Sequence, residues 1–316
     1  MSRSTLVRAG VVLVAWLALT TFPQWSGSWE SSRFAAGIIR QVLIFAIFAS
    51  SLNLLVGYAG LPSLGHAAFF GGGAYAAAIV AQRLGTDQLL VSLGAGILGA
   101  ALLALVVGFL AVRALGIFFL MLTLALAQMV FALAFQATEL TGGSNGFSGV
   151  HRPTLFGTDF NAASDLYVLV CVAFLLVVLL LWRLVTSTYG RALIGVRENE
   201  RRMRALGYDT RTLKLSVFVL AGAIAGIAGA LSSYEFRFVS PNDVALGTSV
   251  TGFVMVLIGG AGTLLGPVLG AAAVLLIERV LPSQLPAQTV LGIVFILFVV
   301  FARQGIAGAL RGVVRV

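Results

Sequence analysis

YGRALIGVRENERRMRALGYD, residues Tyr189–Asp209, is a polar island between two long apolar spans. Arg191, Arg197, Arg201, Arg202 and Arg204 crowd it, with Glu198 and Glu200 among them. The spacing sets Glu198 with Arg202 and Glu200 with Arg204 as i,i+4 pairs, in the Glu-first order that supports a helix. Leu193, Ile194, Val196, Met203 and Leu206 supply an apolar side, and Gly207 follows as a helix stop. The stretch predicts short helices that pack on one side and face water on the other. At a membrane face, such a loop is either an ordinary basic connection or a contact surface for something outside the bilayer.

Outward from this island the chain is apolar. Of its 316 residues, 59% are hydrophobic and 10% charged, against about 25% charged in soluble domains. The mean hydropathy is +1.05. These values exclude a water-soluble domain. Ten apolar segments stand out, at 8–23, 36–56, 66–82, 89–112, 117–137, 166–185, 214–234, 249–263, 267–281 and 288–302. A transmembrane helix needs roughly 20 such residues, and runs this uniform satisfy their backbone as helices rather than barrel strands. The expected fold is all-α and integral to the membrane: one domain over 1–316, a polytopic bundle of about ten transmembrane helices. A cytoplasmic loop is expected at 186–212 and an external loop at 138–165.

The net charge of +9 could suggest a nucleic-acid partner, but the distribution argues against one. With the N-terminus in the cytoplasm, the inside holds Arg3, Arg8, Arg113, Arg183, the seven basic residues from Arg191 to Lys214, and Arg303, Arg311 and Arg315. The outside holds Arg33, Arg40, Arg83, Arg152, Arg237 and Arg279. This excess follows the positive-inside rule and predicts cytoplasmic N- and C-termini. The start, basic through Arg8 and apolar from Ala9 to Phe22, resembles a signal peptide. It lacks a small-residue cleavage site and reads as the first helix.

Two glycine-rich apolar regions, Gly57–Ala78 and Gly247–Ala273, lie in opposite halves of the chain. Interrupted segments in matching halves point to inverted repeats, broken helices and a central pathway. Close packing through small residues is the alternative, and the two are compatible. The candidate pathway or helix-break residues are Asn53, Gly60, Ser63, Gly65 and His66 in the first region, and Gly259, Gly260 and Gly262 in the second. Asn53, an amide in an apolar span, is expected to bond a neighbouring helix, and His66 to be a hydrogen-bonded structural histidine. The external loop contains TGGSNGFSG, Thr141–Gly149, a turn-rich composition that suits a connector or a docking segment.

Several chemistries are missing. A P-loop needs Gly-Lys-Ser/Thr, and the sole lysine, Lys214, follows Leu213. His66 and His151 are far apart and Cys171 is alone, so local spacing offers no metal site. No catalytic residue is assigned. Acidic residues avoid the span centres: Glu278 sits near a span end and Glu235 just past another. Ion- and proton-coupled carriers usually keep ionisable groups inside the membrane, so energy is expected from a partner. The alternatives are an ion-coupled secondary transporter and a non-transporting membrane scaffold.

The order of motifs carries a resemblance. LNLLVGYAG (Leu52–Gly60), SLGHAAFFGGGAY (Ser63–Tyr75), LTGGSNGFSGV (Leu140–Val150), the island Tyr189–Asp209, FVSPND (Phe238–Asp243) and VLIGGAGTLLGPVLGA (Val256–Ala271) occur in that sequence. Over nearly its whole length, the chain resembles the LivM-type permeases of branched-chain amino-acid ABC importers. The resemblance implies a bacterial cytoplasmic (inner) membrane and a heteromeric importer. Its partners would be a second, LivH-like permease, two cytoplasmic ATPase subunits that bind ATP and Mg, a periplasmic solute-binding protein and membrane lipid. No cofactor is implied in this chain. The island would be the ATPase-coupling element, with Arg191, Gly195, Arg197, Glu198, Asn199, Arg201, Arg202, Ala205 and Gly207 as its candidates. Gly142, Gly143, Ser144 and Asn145 would dock the binding protein. The chain departs from the family pattern at Leu61-Pro62, where the family usually has glutamine, and at Arg303, where it has proline. Related permeases also serve urea, amides and aromatic acids.

Overall fold

A computed structural model describes residues 29–83, 88–155, 158–160, 163–280, 292 and 305–308. The segment 8–23 lies outside these residues, as does nearly all of 288–302. Nine main helices run along the described chain: α1 (Trp29–Asn53), α2 (Ala67–Arg83), α3 (Leu89–Ala111), α4 (Ile117–Gln136), α5 (Ala163–Thr186), α6 (Thr188–Ala205), α7 (Thr210–Phe236), α8 (Leu246–Gly259) and α9 (Gly266–Val280). Among the described residues, five segments are long and apolar enough to cross a membrane, and α8 is a shorter apolar helix. The molecule is an all-α polytopic membrane protein. Its strands are two-residue pieces, of which Phe147–Ser148 pairs antiparallel with Phe238–Val239.

Helices α2, α3 and α7 form the tightest group, because small residues let their backbones approach. A Cβ on Gly73 would lie 2.5 Å from the Cα of Gly226, and one on Gly96 would lie 3.0 Å from the carbonyl of Gly73. Around this group the core continues through Phe48, Phe69, Phe70 and Phe218, all buried. A second cluster joins α1 to α8 and α9 through Leu52, Met255, Ile258 and Val274.

Neither glycine-rich region is a continuous span. Helix α1 widens into a π-turn over Leu54–Ala59 and ends at Gly60, whose φ of +69° is the left-handed conformation that glycine adopts without strain. The chain then runs irregularly to His66 before α2 begins. In the other half, the glycine-rich region breaks at 260–265 between α8 and α9, and a second break ahead of it, Phe238–Ala245, holds a short strand and a 3₁₀ turn before α8. The breaks ahead of α2 and α8 meet, since the Ala67 N–H at the start of α2 donates to Ser249 Oγ in the first turn of α8, 2.9 Å away. Helix α2 ends at Arg83, which donates to the Glu139 carbonyl on one face. Helix α8 ends beside Asn53 and Gly262 at the other. These are therefore two short helices of opposite direction that start at one point. At 17 and 14 residues they reach about 26 and 21 Å, less than the roughly 30 Å hydrocarbon thickness.

Glu235 corrects a sequence expectation. It lies inside α7 rather than beyond it, and it is buried against Arg40 of α1, Nε to Oε2 at 2.6 Å, with side chains 8% and 7% exposed. Partners 195 positions apart leave no local signature.

Candidate functional site

Helix α6 starts where Ser187 Oγ accepts the Gly190 N–H, an N-cap that holds the first turn. Its first half packs through Ala192, Leu193 and Val196, which are buried, while Arg191 and Glu198 are exposed. At Asn199 the backbone turns extended (φ −158°, ψ +93°), so the island is two helices across a kink. The Asn199 Oδ1 accepts the Arg202 N–H at 2.9 Å and caps the second piece. That piece folds back, and a Cβ on Gly195 would come 2.7 Å from Met203 Sδ. It ends as the sequence predicts. Gly207 (φ +87°) donates to the Arg204 carbonyl and Tyr208 to that of Met203, the paired bonds of a Schellman cap.

The kink overturns one expected pair. Glu198 and Arg202 stand on opposite sides of a non-helical residue and form no ion pair, whereas Glu200 and Arg204 do, at 2.6 Å. Leu206 also departs from expectation. It is 68% exposed rather than packed, and with Tyr208 at 48% it gives the outer side of the second piece an apolar tip among Arg201, Arg202 and Arg204.

Two links tie α6 to the bundle. The Arg197 guanidinium donates from Nη1 to the Gly57 carbonyl in the π-turn, and its stem lies against Gly60. Gly57 in turn touches Gly262, where a Cβ on Gly57 would overlap the Gly262 nitrogen. Asn53 closes the junction, accepting from the Gly262 N–H and donating to the Thr263 carbonyl, each at 2.8 Å. It therefore bonds the loop after α8 rather than a helix. The second link is Glu200, which accepts from Lys214 Nζ at 2.6 Å, Arg204 Nη2 at 2.6 Å and Thr210 Oγ1 at 3.1 Å. Partial burial works against its charge, but these donors prevail and hold the carboxyl below its ordinary range. Lys214, 6% exposed, is thereby neutralised at the start of α7. A cavity of about 200 Å³ opens beside both links, lined by Gly60, Leu61, Pro62, Gly116, Phe119, Arg197 and Lys214 among others.

The structure thus brings Asn53, Gly60, Arg197, Gly260 and Gly262 to one end of the bundle. Gly259 and Gly260 close α8 there, Gly260 at φ +111°. Ser63, Gly65 and His66 lie deeper. His66 is fully buried, 2.7 Å from Ser51 Oγ and stacked on Phe48, the geometry of a structural histidine. Gly65 packs against Thr123 and Ala127 of α4. Gly142–Asn145 sit at the opposite end, where Gly142 and Gly143 take positive φ, Ser144 and Asn145 are exposed, and the following Phe147–Ser148 is pinned to Phe238–Val239. Arg303 lies outside the described residues. The sequence reading missed Lys214, which looks like a flanking charge until the fold sets it against Glu200.

A bundle of apolar helices, broken in both halves and clamped at one end by an amphipathic helix, defines a multi-pass integral membrane protein. The chain belongs to the family described as the permease component of the branched-chain amino acid transport system, whose model matches residues 34–302. It is 32% identical over 300 residues to the high-affinity branched-chain amino acid transport system permease protein LivM of Escherichia coli (strain K12), covering 87% of this chain and 70% of the relative. A probable branched-chain amino acid transport permease protein LivM of Methanocaldococcus jannaschii is 29% identical over 272 residues, 75% of this chain and 78% of the relative. The autoinducer 2 import system permease protein LsrC of Yersinia pseudotuberculosis matches a shorter stretch, 31% identical over 123 residues, 36% of this chain and 34% of the relative. No solved structure matches the chain.

Proposed function

We propose that this permease subunit belongs to an ATP-driven importer of branched-chain amino acids in a bacterial inner membrane, and that α6 is its coupling element. The observation that carries the reading is the double clamp: Arg197 on the π-turn at Gly57 and Glu200 on Lys214 of α7. A push on the exposed second piece of α6 reaches both the broken end of α1 and the helix that packs the bundle centre. The outer side of that piece, with Arg201, Arg202, Leu206 and Tyr208 exposed, has the mixture of charge and apolar surface that a cleft in a soluble protein accepts. Two ATPase subunits supply ATP and Mg there, so the α6 end is cytoplasmic, in line with the excess of arginines at that end. A periplasmic binding protein docks at the other end, where Ser144 and Asn145 project.

A LivH-like second permease completes the membrane core, and α4 offers it a face. Gln128 is exposed near the middle of that apolar helix, where an amide facing lipid is unfavourable and one facing a second bundle is stabilising. Its neighbour Ala127 packs on Gly65 at the helix break, so the face adjoins the junction of the two short helices. Glu235, an acidic group inside a span, is already bonded to Arg40 and leaves an ion-coupled carrier no free carboxylate at that position. The test is uptake by proteoliposomes holding the chain with its co-purified subunits. ATP-dependent accumulation of leucine, isoleucine and valine is expected. Accumulation driven by an ion gradient without ATP, or of urea in place of the amino acids, overturns the assignment.

A further inference from the structure

Two arginines from different parts of the chain converge on one exposed ring at the α6 end of the bundle. The guanidinium carbon of Arg113, in the turn after α3, lies 4.7 Å from the centroid of Phe109, and that of Arg211, in the first turn of α7, lies 5.6 Å from the same centroid. Both arginines are exposed and neither forms an ion pair among the described residues. The nearby carboxylate, Asp209, is turned to the backbone. It caps α7 by accepting from the Arg211 and Thr212 N–H groups at 3.1 and 3.2 Å, and its side-chain bond to Thr212 helps hold its pKa below the ordinary 3.8. Two like charges therefore share one aromatic face; the Asp209 carboxylate attracts Arg211 from the same first turn, but no ion pair at bonding distance closes either guanidinium among the described residues.

The surface below them is an apolar strip. Leu98, Leu102, Val106 and Phe109 are 65%, 62%, 62% and 48% exposed, and Leu105 and Leu110 flank them. These positions recur every three or four residues and make one stripe along α3, continuous from the middle of the span to the arginines. A long apolar chain fits the stripe, and an anion at its end fits the pair of guanidiniums. Among the described residues, the exposed face of α5, with Leu176, Leu179, Leu180 and Trp182, has no ring under two converging cations.

We propose that Arg113, Arg211 and Phe109 form a binding site for the phosphate of an anionic phospholipid, with one acyl chain lying along Leu98–Phe109. The free chemistry of the pair is phosphate recognition by guanidinium, and the adjoining stripe selects a lipid as its source over a phosphate in solution. Because Arg211 opens α7, the helix that carries Lys214 and is clamped to α6 by Glu200, the bound headgroup steadies the same helix start that the coupling element grips.

The test uses the full chain purified in mild detergent, with native mass spectrometry to count retained dioleoylphosphatidylglycerol against dioleoylphosphatidylcholine. Juxtamembrane basic residues contribute about 1 kcal/mol each, so Arg113→Gln with Arg211→Gln is expected to weaken retention of the anionic lipid about 30-fold, at 1.4 kcal/mol per tenfold. Retention of the neutral lipid stays unchanged. Arg183→Gln, which removes an exposed arginine at the end of α5, leaves both unchanged, and Arg113→Lys with Arg211→Lys keeps only part of the anionic preference, since lysine retains the charge but not the planar fork. An equal loss in Arg183→Gln shows a net-charge effect and overturns the site, as does full retention in the double glutamine variant. Displacement of the lipid by millimolar inorganic phosphate overturns the choice of a lipid. Should the double glutamine variant not fold, Phe109→Leu and the single variants carry the same comparison.

Discussion

Replacing Glu200 by glutamine separates the two halves of the clamp by their burial. The carboxylate serves Arg204, whose side chain is 57% exposed, and Lys214, whose side chain is 6% exposed. An exposed i,i+4 pair contributes about 0.3–0.5 kcal/mol. Removing one partner of a buried pair costs about 3–5 kcal/mol, because the other charge is left uncompensated. Glu200 itself is 20% exposed, so water relieves part of that penalty and the lower end, about 3 kcal/mol, is expected. Nearly all of it is assigned to Lys214. Thermal unfolding of the purified chain should therefore show Glu200→Gln strongly destabilised and Arg204→Gln barely changed. The double variant Glu200→Gln with Lys214→Met should recover much of the loss, since neither charge is then stranded. The pH dependence follows the same group. Its folded pKa lies below the ordinary 4.5, so its stabilisation is fully present above about pH 4.5 and fades as the pH falls through the lowered folded value. Glu200→Gln removes that acid-side decline. Equal destabilisation by Arg204→Gln and Glu200→Gln, or no recovery in the double variant, refutes the assignment of the clamp to Lys214.

Three further outcomes are expected. Gly260→Leu places a side chain at φ +111°. It should cost about 1–3 kcal/mol of backbone strain and reduce uptake with the subunit still inserted, as measured by melting and transport in parallel. Glu235→Gln should destabilise the bundle by about 3–5 kcal/mol by taking the carboxylate from the buried Arg40 guanidinium, while Arg40→Met with Glu235→Met stays within a few kcal/mol of the native chain; a harmless single variant contradicts the buried pair. Gln128→Leu should leave membrane insertion intact and weaken association with the second permease by about 0.6–1.7 kcal/mol, read as loss of co-purification. Unchanged co-purification removes Gln128 from that seam.

The spans were legible because lipid demands long apolar runs and charges mark their ends. The helix at Leu89–Ala111 ends within a residue of the expected 89–112, and Ile117–Gln136 likewise follows 117–137. The breaks were legible from glycine, since Gly60, Gly260 and Gly262 do take positive φ. The details that depended on distant partners were not. Nothing local distinguishes Arg40 from a loop arginine until α7 brings Glu235 beside it. The island shows the limit of spacing arguments. Glu198 and Arg202 have the right separation for a pair, but Asn199 between them caps a new helix with its own side chain, as short polar residues do. The same separation succeeds at Glu200 and Arg204 because no break intervenes.

The central claim is that α6 transmits the state of cytoplasmic ATPases to the bundle. Its most direct test is ATP hydrolysis and leucine uptake measured together, in proteoliposomes of the whole importer, for Arg201→Glu with Arg202→Glu. Both side chains are exposed and outside the two clamps, so the subunit should insert, fold and receive the binding protein as before. Like-charge juxtaposition at an interface costs several kcal/mol, so stimulated hydrolysis and uptake should fall together. Native hydrolysis and uptake in that variant would contradict a coupling role for the exposed side of α6.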